Sequence, residues 1–240
     1  MNRRHGADTA FVLAGDSTDQ ASRQAIFEQA LARWGRVDVL LNNAGYAMPG
    51  AVEEVPMESI RRQFEINVFA AIGWMQLAGA AMRRAGQGRI INMSSISGRL
   101  TFPGLGVYSA SKFALEAVSD AMRLEYQPFG VKVILIEPGA VVTEIWERSR
   151  GLAYEMGDWQ ASPFSKLYRL QMHRAEQLMQ GKGPCARIVA DAVAHAATSA
   201  RPRRRYRMPL YSKAGNLLAK LPTSIKDWLI LKMVEAAPKE

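Results

Sequence analysis

The 240-residue sequence has one cysteine, Cys185, and three histidines, His5, His173 and His195, far apart along the chain. A single thiol excludes a disulfide scaffold, a Cys-rich zinc site and an iron–sulfur cluster. Three scattered imidazoles leave little for metal chemistry, so no metal is expected. Long apolar runs are missing too. The longest uncharged stretch, Ile66–Met82, has 17 residues and includes Asn67 and Gln76; it is short for a membrane span and reads as a buried helix. Ala10–Gly15 is a six-residue apolar stretch ended by Asp16, too short for a signal-peptide core. These absences predict a soluble, cytoplasmic protein. No Gly-x-Ser-x-Gly elbow occurs, which counts against a serine hydrolase.

What is present is ordinary globular composition, 48% hydrophobic and 22% charged, enough for a single domain over residues 1–240. Net charge is +9, and Arg201–Glu240 holds ten Lys/Arg against three acids. Charge runs usually face solvent. Pro202 breaks any recognition helix, and Tyr206 is the single interleaved aromatic, so nucleic acid is not expected as a partner. Leu217–Val234 sets apolar residues among Lys220, Lys226 and Lys232. It predicts a basic amphipathic helix over about 214–236, compatible with core docking, a homo-oligomer contact or peripheral membrane contact.

Short β-branched runs alternate with helical stripes. Strands are predicted at Phe11–Leu13, Val37–Leu41, Arg89–Met93, Val131–Ile136 and near Tyr206–Met208. Helices are predicted over Ala21–Trp34, Pro56–Arg84, Tyr108–Gln127 and Pro184–Thr198. His195, amid alanines on the last of these, reads as packing. Thr143–Gly183 reads as a long irregular stretch, with regular helical spacing only over Leu167–Met179. This alternation, with continuous apolar strands, argues a parallel sheet covered on both faces. Ligands of such sheets bind beyond the C-terminal strand ends. That rule points at Asp16, Asn42–Gly45, Ser94–Ser95 and Pro138–Thr143, which should converge on one crevice.

Tyr108-Ser-Ala-Ser-Lys112 is the central constellation. Residues four apart share a helix face, so phenol and ammonium lie side by side. An adjacent cation favours the phenolate and lowers a tyrosine pKa, and such a phenol can exchange a proton with a carbonyl or alcohol oxygen. Ser94 and Ser95 point to opposite faces of their strand, so one of them reaches the crevice and the other is structural.

Six motifs stand in order: Asp16-Ser-Thr-Asp, Asn42-Asn-Ala-Gly45, Asn67, Ile90-Ile-Asn-Met-Ser-Ser95, Tyr108-x-x-x-Lys112 and Pro138-Gly-x-x-x-Thr143. Ser95 lies 13 residues before Tyr108 and Asn67 lies 41 before it. In motifs and spacing, from about Asp16 to Met208, the chain resembles the short-chain dehydrogenase/reductase family. Ser111–Ser119 and Pro128–Gly139 look closest to its retinol and 17β-hydroxysteroid branch. The resemblance implies a Rossmann-type, doubly wound α/β fold and an NAD(P)-dependent oxidoreductase that interconverts an alcohol and a ketone or aldehyde. It implies Tyr108 as general acid/base, Lys112 as the residue that lowers the pKa of Tyr108 and holds the nicotinamide ribose, and Ser95 as holder of the substrate oxygen. Asn67 would keep a water in the proton relay. For NAD or NADP it implies Asp16 at the adenine, Asn43, Ala44 and Gly45 at the ribose, and Pro138, Gly139, Val141 and Thr143 at the nicotinamide, with Val141 acting through its backbone.

The family's glycine-rich phosphate turn should precede Asp16, but Gly6 and Gly15 are the only glycines there. The fold is therefore expected as N-terminally truncated, with a first βαβ portion of roughly forty residues missing and the Val37–Leu41 edge uncovered. We expect translation to begin upstream of Met1. The rival reading is a non-catalytic, truncated relative acting as a binding or interaction protein. The aromatic and Met-rich segment Trp146–Met179 reads as a mobile substrate lid over about 144–183, which suits a lipophilic alcohol or ketone.

Overall fold

Val131-Lys-Val-Ile-Leu-Ile, the most strand-like run of the sequence, lies where such a run belongs, inside the sheet. The computed structural model describes residues 10–155, 157–209, 215 and 217–235; His5 and Gly6 lie outside them. Helix α1 (Gln20–Trp34) is capped by Asp19, whose side chain accepts from Ser22 N, and leads to strand β1 (Val39–Asn42). Helix α2 (Met57–Phe64) runs through a π-helical turn, Glu65–Phe69, directly into α3 (Ala70–Ala85). Strand β2 (Gly88–Met93), helix α4 (Gly106–Glu125) and strand β3 (Val131–Pro138) follow. Helices α5 (Ile145–Glu155), α6 (Ser165–Met179) and α7 (Arg187–Thr198) precede strand β4 (Arg205–Met208) and helix α8 (Thr223–Glu235).

The four strands pair in parallel in the order β1-β2-β3-β4. Each parallel step needs a crossover, and each crossover puts a helix on one face. On one face Phe27, Met75, Ala78, Met82, Leu115 and Met122 pack against Ile90, Val131 and Val133. On the other, Ala196 of α7 packs with Ile91, Ile134, Ile136 and Tyr206. This is the doubly wound α/β arrangement expected.

Three local expectations need correction. Phe11–Leu13 forms no strand: no strand among the described residues lies beside it, and a strand exists only through its ladder partner. Phe11 instead meets Trp34 edge-on at 6.3 Å. The stretch 143–183 is not irregular, since α5 and α6 fill much of it; α6 buries Tyr168, Leu170, Met172, Ala175 and Leu178. Side chains of this stretch bond to the rest of the molecule. The Ser149 hydroxyl donates to Ala47 O (2.8 Å), and Ser162 Oγ and Tyr168 OH both donate to the Glu54 carboxylate (2.6 and 2.7 Å). Met156 falls outside the described residues. Within the predicted C-terminal span residues 215, 217 and 218 are helical and a separate helix covers Thr223–Glu235, whose apolar residues do not share one face: Ile230 is buried while Ile225, Trp228 and Leu231 are exposed. Residues 214, 216 and 236 of that span are not among those described. His195, read as packing, is exposed, and its Nδ1 meets Tyr206 OH at 2.7 Å. Among the described residues no helix is long and apolar enough to cross a membrane.

Candidate active site

The C-terminal ends of β1, β2 and β3 and the first turn of α4 surround one crevice. After β2 the chain turns through a short 3-10 segment, Ile96–Gly98, capped by Ser95, whose Oγ accepts from Ser97 N at 3.1 Å. Ser95 Oγ also lies 3.5 Å from Pro138 O at the end of β3. Tyr108 sits in the first turn of α4 and Lys112 one turn on; they are only 8% and 5% exposed. Ser95 neighbours the Tyr108 phenol. Lys112 Nζ donates to Met93 O at 2.8 Å and stands 5.8 Å from the centre of the Tyr108 ring.

Asn67 enters from the π turn, a helical irregularity frequent at functional sites. Its Oδ1 accepts from Tyr46 N (3.1 Å), and its Nδ2 donates to Tyr46 O (3.0 Å) and Ser111 Oγ (3.1 Å). The first two anchor the loop after β1 and the third ties it to α4. Gly45 lies in that loop at a close approach: a β-carbon there would stand 3.0 Å from Asn67 Oδ1, which would have to give way slightly, and 3.7 Å from Lys112 Nζ. Asn43 and Ala44 are exposed beside it and line a cleft of about 270 Å³ with Ser17, Asn42, Ile66 and Trp74. Asp16, next to Ser17, is exposed, and hydrogen bonds from the Thr18 N–H and hydroxyl hold its carboxyl below the ordinary range.

Beyond β3, Gly139 N donates to Met208 O at 2.8 Å. Val141 is buried, with its carbonyl taken by the Trp146 indole at 2.7 Å, while Thr143 is exposed. The structure thus brings Ser95, Tyr108, Lys112, Asn67 and Gly45 together, with Pro138 alongside. Asp16, Asn43 and Ala44 stand by the neighbouring cleft.

Electrostatics depart from the expected pattern. Burial pushes the Tyr108 phenol up, and the neighbouring Ser95 works against that. Burial draws Lys112 down to about 8, with Glu116 opposing. Desolvation outweighs the neighbouring cation because the Lys112 ammonium is turned to Met93 O rather than to the phenol oxygen. Sequence reasoning passed over Glu116, although its place one turn beyond Lys112 was legible. It also passed over Gln63, fully buried, whose side chain bonds Met48 N and Tyr46 O from one turn before Asn67.

The family profile described as short chain dehydrogenase matches residues 2–151. The chain belongs to this short-chain dehydrogenase family. A 3-ketodihydrosphingosine reductase of Bacteroides thetaiotaomicron is 33% identical over 94% of this chain and 80% of its own length. A bovine 17-beta-hydroxysteroid dehydrogenase type 6 is 34% identical over 83% of this chain and 64% of its own. A solved short-chain dehydrogenase from Streptomyces avermitilis is 30% identical, with a TM-score of 0.70 over 93% of this chain and 76% of the other. The curated relatives that the chain matches are covered over 51% to 80% of their length.

Proposed function

We propose that this short-chain dehydrogenase is an NAD(P)-dependent oxidoreductase that interconverts an alcohol and a ketone or aldehyde, and that its substrate is lipophilic. The observation that carries the reading is the buried Tyr108 phenol, with Ser95 beside it and the Lys112 ammonium 5.8 Å from the centre of its ring. In the reductive direction Ser95 holds the substrate oxygen and Tyr108 donates its proton to it. A phenol kept neutral by burial is ready to donate, and it is restored by a proton reaching it past Lys112. Bound nicotinamide would supply or accept the hydride, which no side chain can carry.

The residues fit the ribose and nicotinamide portions of such a cofactor. The close approach allowed at Gly45, beside Asn67 and Lys112, leaves backbone open to it. Asn43, Ala44 and Lys112 would hold the ribose, Asp16 the adenine, and Pro138, Gly139, Val141 and Thr143 the nicotinamide amide. A lipophilic substrate is supported by the apolar wall beside the site, where Leu152 of α5 packs with Tyr46, Met48 and Val107. Relatives named for a sphingoid ketone and a hydroxysteroid support it too.

The test is NADH and NADPH oxidation by this chain over long-chain and steroid ketones, set against short polar keto acids. Apolar ketones should be preferred, and Tyr108→Phe should lower kcat/KM by about 10²- to 10⁴-fold. Turnover untouched by Tyr108→Phe would overturn the mechanism; a preference for keto acids would overturn the substrate class alone.

A further inference from the structure

Helix α5 lies against the loop that follows β1, and two contacts fix it there. The Ser149 hydroxyl donates to Ala47 O, and Leu152 packs with Tyr46, Met48 and Val107. Arg148, one turn before Leu152, is thereby set over the Tyr46 ring, its guanidinium carbon 5.4 Å from the ring centre. Stacking uses the flat face of a guanidinium and leaves the five N–H groups at its rim able to donate. Arg148 is exposed, and among the described residues no carboxylate or carbonyl takes those N–H groups. Tyr46 is 6% exposed, and its hydroxyl also makes no hydrogen bond among the described residues. The sealed polar side-chain atoms left without a partner there are Ser94 Oγ, Ser109 Oγ and Glu116 Oε1, so the Tyr46 hydroxyl is not sealed and a ligand can reach it. Arg62 of α2, exposed and without an ion-pair partner among the described residues, precedes Gln63, whose side chain bonds Met48 N and Tyr46 O. Burial pushes the Tyr46 phenol up, while Arg62 and Arg148 both draw it down.

We propose that Arg148, together with the Tyr46 hydroxyl, determines substrate specificity by binding an oxyanion at the end of an otherwise apolar substrate, remote from its reacting carbonyl. This rests on the function proposed above and narrows its substrate class to anionic amphiphiles. The apolar wall starts at Val107, next to the Tyr108 phenol in sequence, and ends at Leu152, one turn from Arg148. A ketone held at Ser95 and Tyr108 would lay its body on that wall and bring its other end to the guanidinium. A wholly apolar end would leave the N–H groups of Arg148 to water and gain nothing from them. A carboxylate, sulfate or phosphate takes two of them in parallel, in the fork geometry that arginine offers and lysine does not. Glu144 and Glu147, the acids nearest Arg148 in sequence, are exposed and do not pair with it. The phosphates of a nicotinamide cofactor share this chemistry, so the test separates the two sources.

The probes are a medium-chain keto fatty acid and its methyl ester, which differ only in the charge at the head. Their binding to the whole chain is measured by calorimetry with oxidised NAD or NADP present, so that no turnover occurs. The acid should bind about tenfold more tightly than the ester. Arg148→Gln, at an exposed position that leaves the core untouched, should abolish that advantage while moving the affinity of the ester by less than about twofold. Arg148→Lys, which keeps the charge without the fork, should retain part of the advantage, and Tyr46→Phe should reduce it by about threefold. In turnover assays the loss in Arg148→Gln should appear in KM for the acid, with kcat held. Equal affinity of acid and ester for the unaltered chain, or an advantage that survives Arg148→Gln, would overturn the proposal. So would an Arg148→Gln chain with a raised KM for NADH or NADPH and an equal loss for both ketones, since the guanidinium would then serve the cofactor's phosphates. A chain that holds the acid through Arg148 but reduces neither ketone would overturn the proposed function and leave this subsite standing.

Discussion

The two outer strands of the sheet both end in an unpaired edge, yet they are finished in opposite ways. On β4, Tyr206 is buried against α7, and Arg205 and Arg207 are tied into three carboxylates. On β1, Val39 and Leu41 are 38% and 41% exposed, as expected for an uncovered Val37–Leu41 edge, and Phe11, Val12 and Trp34 stand exposed nearby. The candidate site draws on both flanks: Tyr108 and Lys112 come from α4, Ser95 from the end of β2, and Asn67 from the π turn that also holds the loop after β1. The difference teaches where this chain puts its buried contacts: charged ones gather on the β4 side, while neutral ones, from Gln63 and Asn67, hold the loop after β1.

The sharpest way to break this comparison is to remove one partner of the buried network. Glu137→Ala leaves Arg205 and Arg207 facing an empty position and should cost about 3–5 kcal/mol, read as a lower urea midpoint. Were the loss under 1 kcal/mol, the β4 flank would be no better built than β1.

Next comes Lys112, between the two flanks. Its pKa is depressed to about 8 from 10.5, so below pH 8 the folded chain binds this proton more weakly than the unfolded chain does. The residue therefore costs stability at pH 7, and the cost fades as pH rises from 8 to 10.5. Lys112→Met should gain roughly 2–3 kcal/mol at pH 7, allowing for the lost bond to Met93 O, and much less at pH 10. Paired unfolding curves at the two pH values check both the size and the sign.

A smaller effect is expected at the lid. Burial and the hydrogen bond to Glu54 push the Tyr168 phenol up to about 12, so it donates to that carboxylate throughout the neutral range. Tyr168→Phe should cost about 1–2 kcal/mol and raise protease sensitivity near 155–165. An unchanged cleavage rate would show that the lid is held elsewhere. The smallest change should come from Leu41→Lys on the β1 edge. Stability should move by no more than about 0.5 kcal/mol, while light scattering reports less self-association, as charge on an apolar edge discourages pairing.

How much of this was legible depended on the range of the contact. Strands β2 and β3, helix α4 and the Tyr108–Lys112 pair follow from local periodicity and i,i+4 spacing, and the structure keeps them within two or three residues. Phe11–Leu13 read as a strand because the local pattern is right, but pairing is not a local property. Helix α5 escaped while the spacing of Leu167–Met179 foreshadowed α6; the seating of both on Glu54, Ala47 and Pro103 was hidden because these residues lie 68 to 114 positions away. Glu116 and Glu137 are ordinary acids in sequence; only the crossover that sets β4 beside β3 brings Arg205 to them. The phenol's departure from the expected direction has the same origin, since burial is a sum over the whole fold.

The π turn at Glu65–Phe69 bears on which genetic changes this segment can absorb. Such a turn accommodates one residue more than a regular helix would. Before it, Gln63 and, within it, Asn67 hold the loop of Tyr46; after it, Met75, Ala78 and Met82 face the sheet. Losing one codon within the turn would let it close into regular helix with both groups still in phase, whereas losing one in the regular helix after it would swing one set by about 100° relative to the other, detaching either the loop or the core. Substitutions in the exposed positions between them, such as Phe69, leave that phase intact. Beyond the turn, the length of this helix is therefore more tightly set than most of its letters.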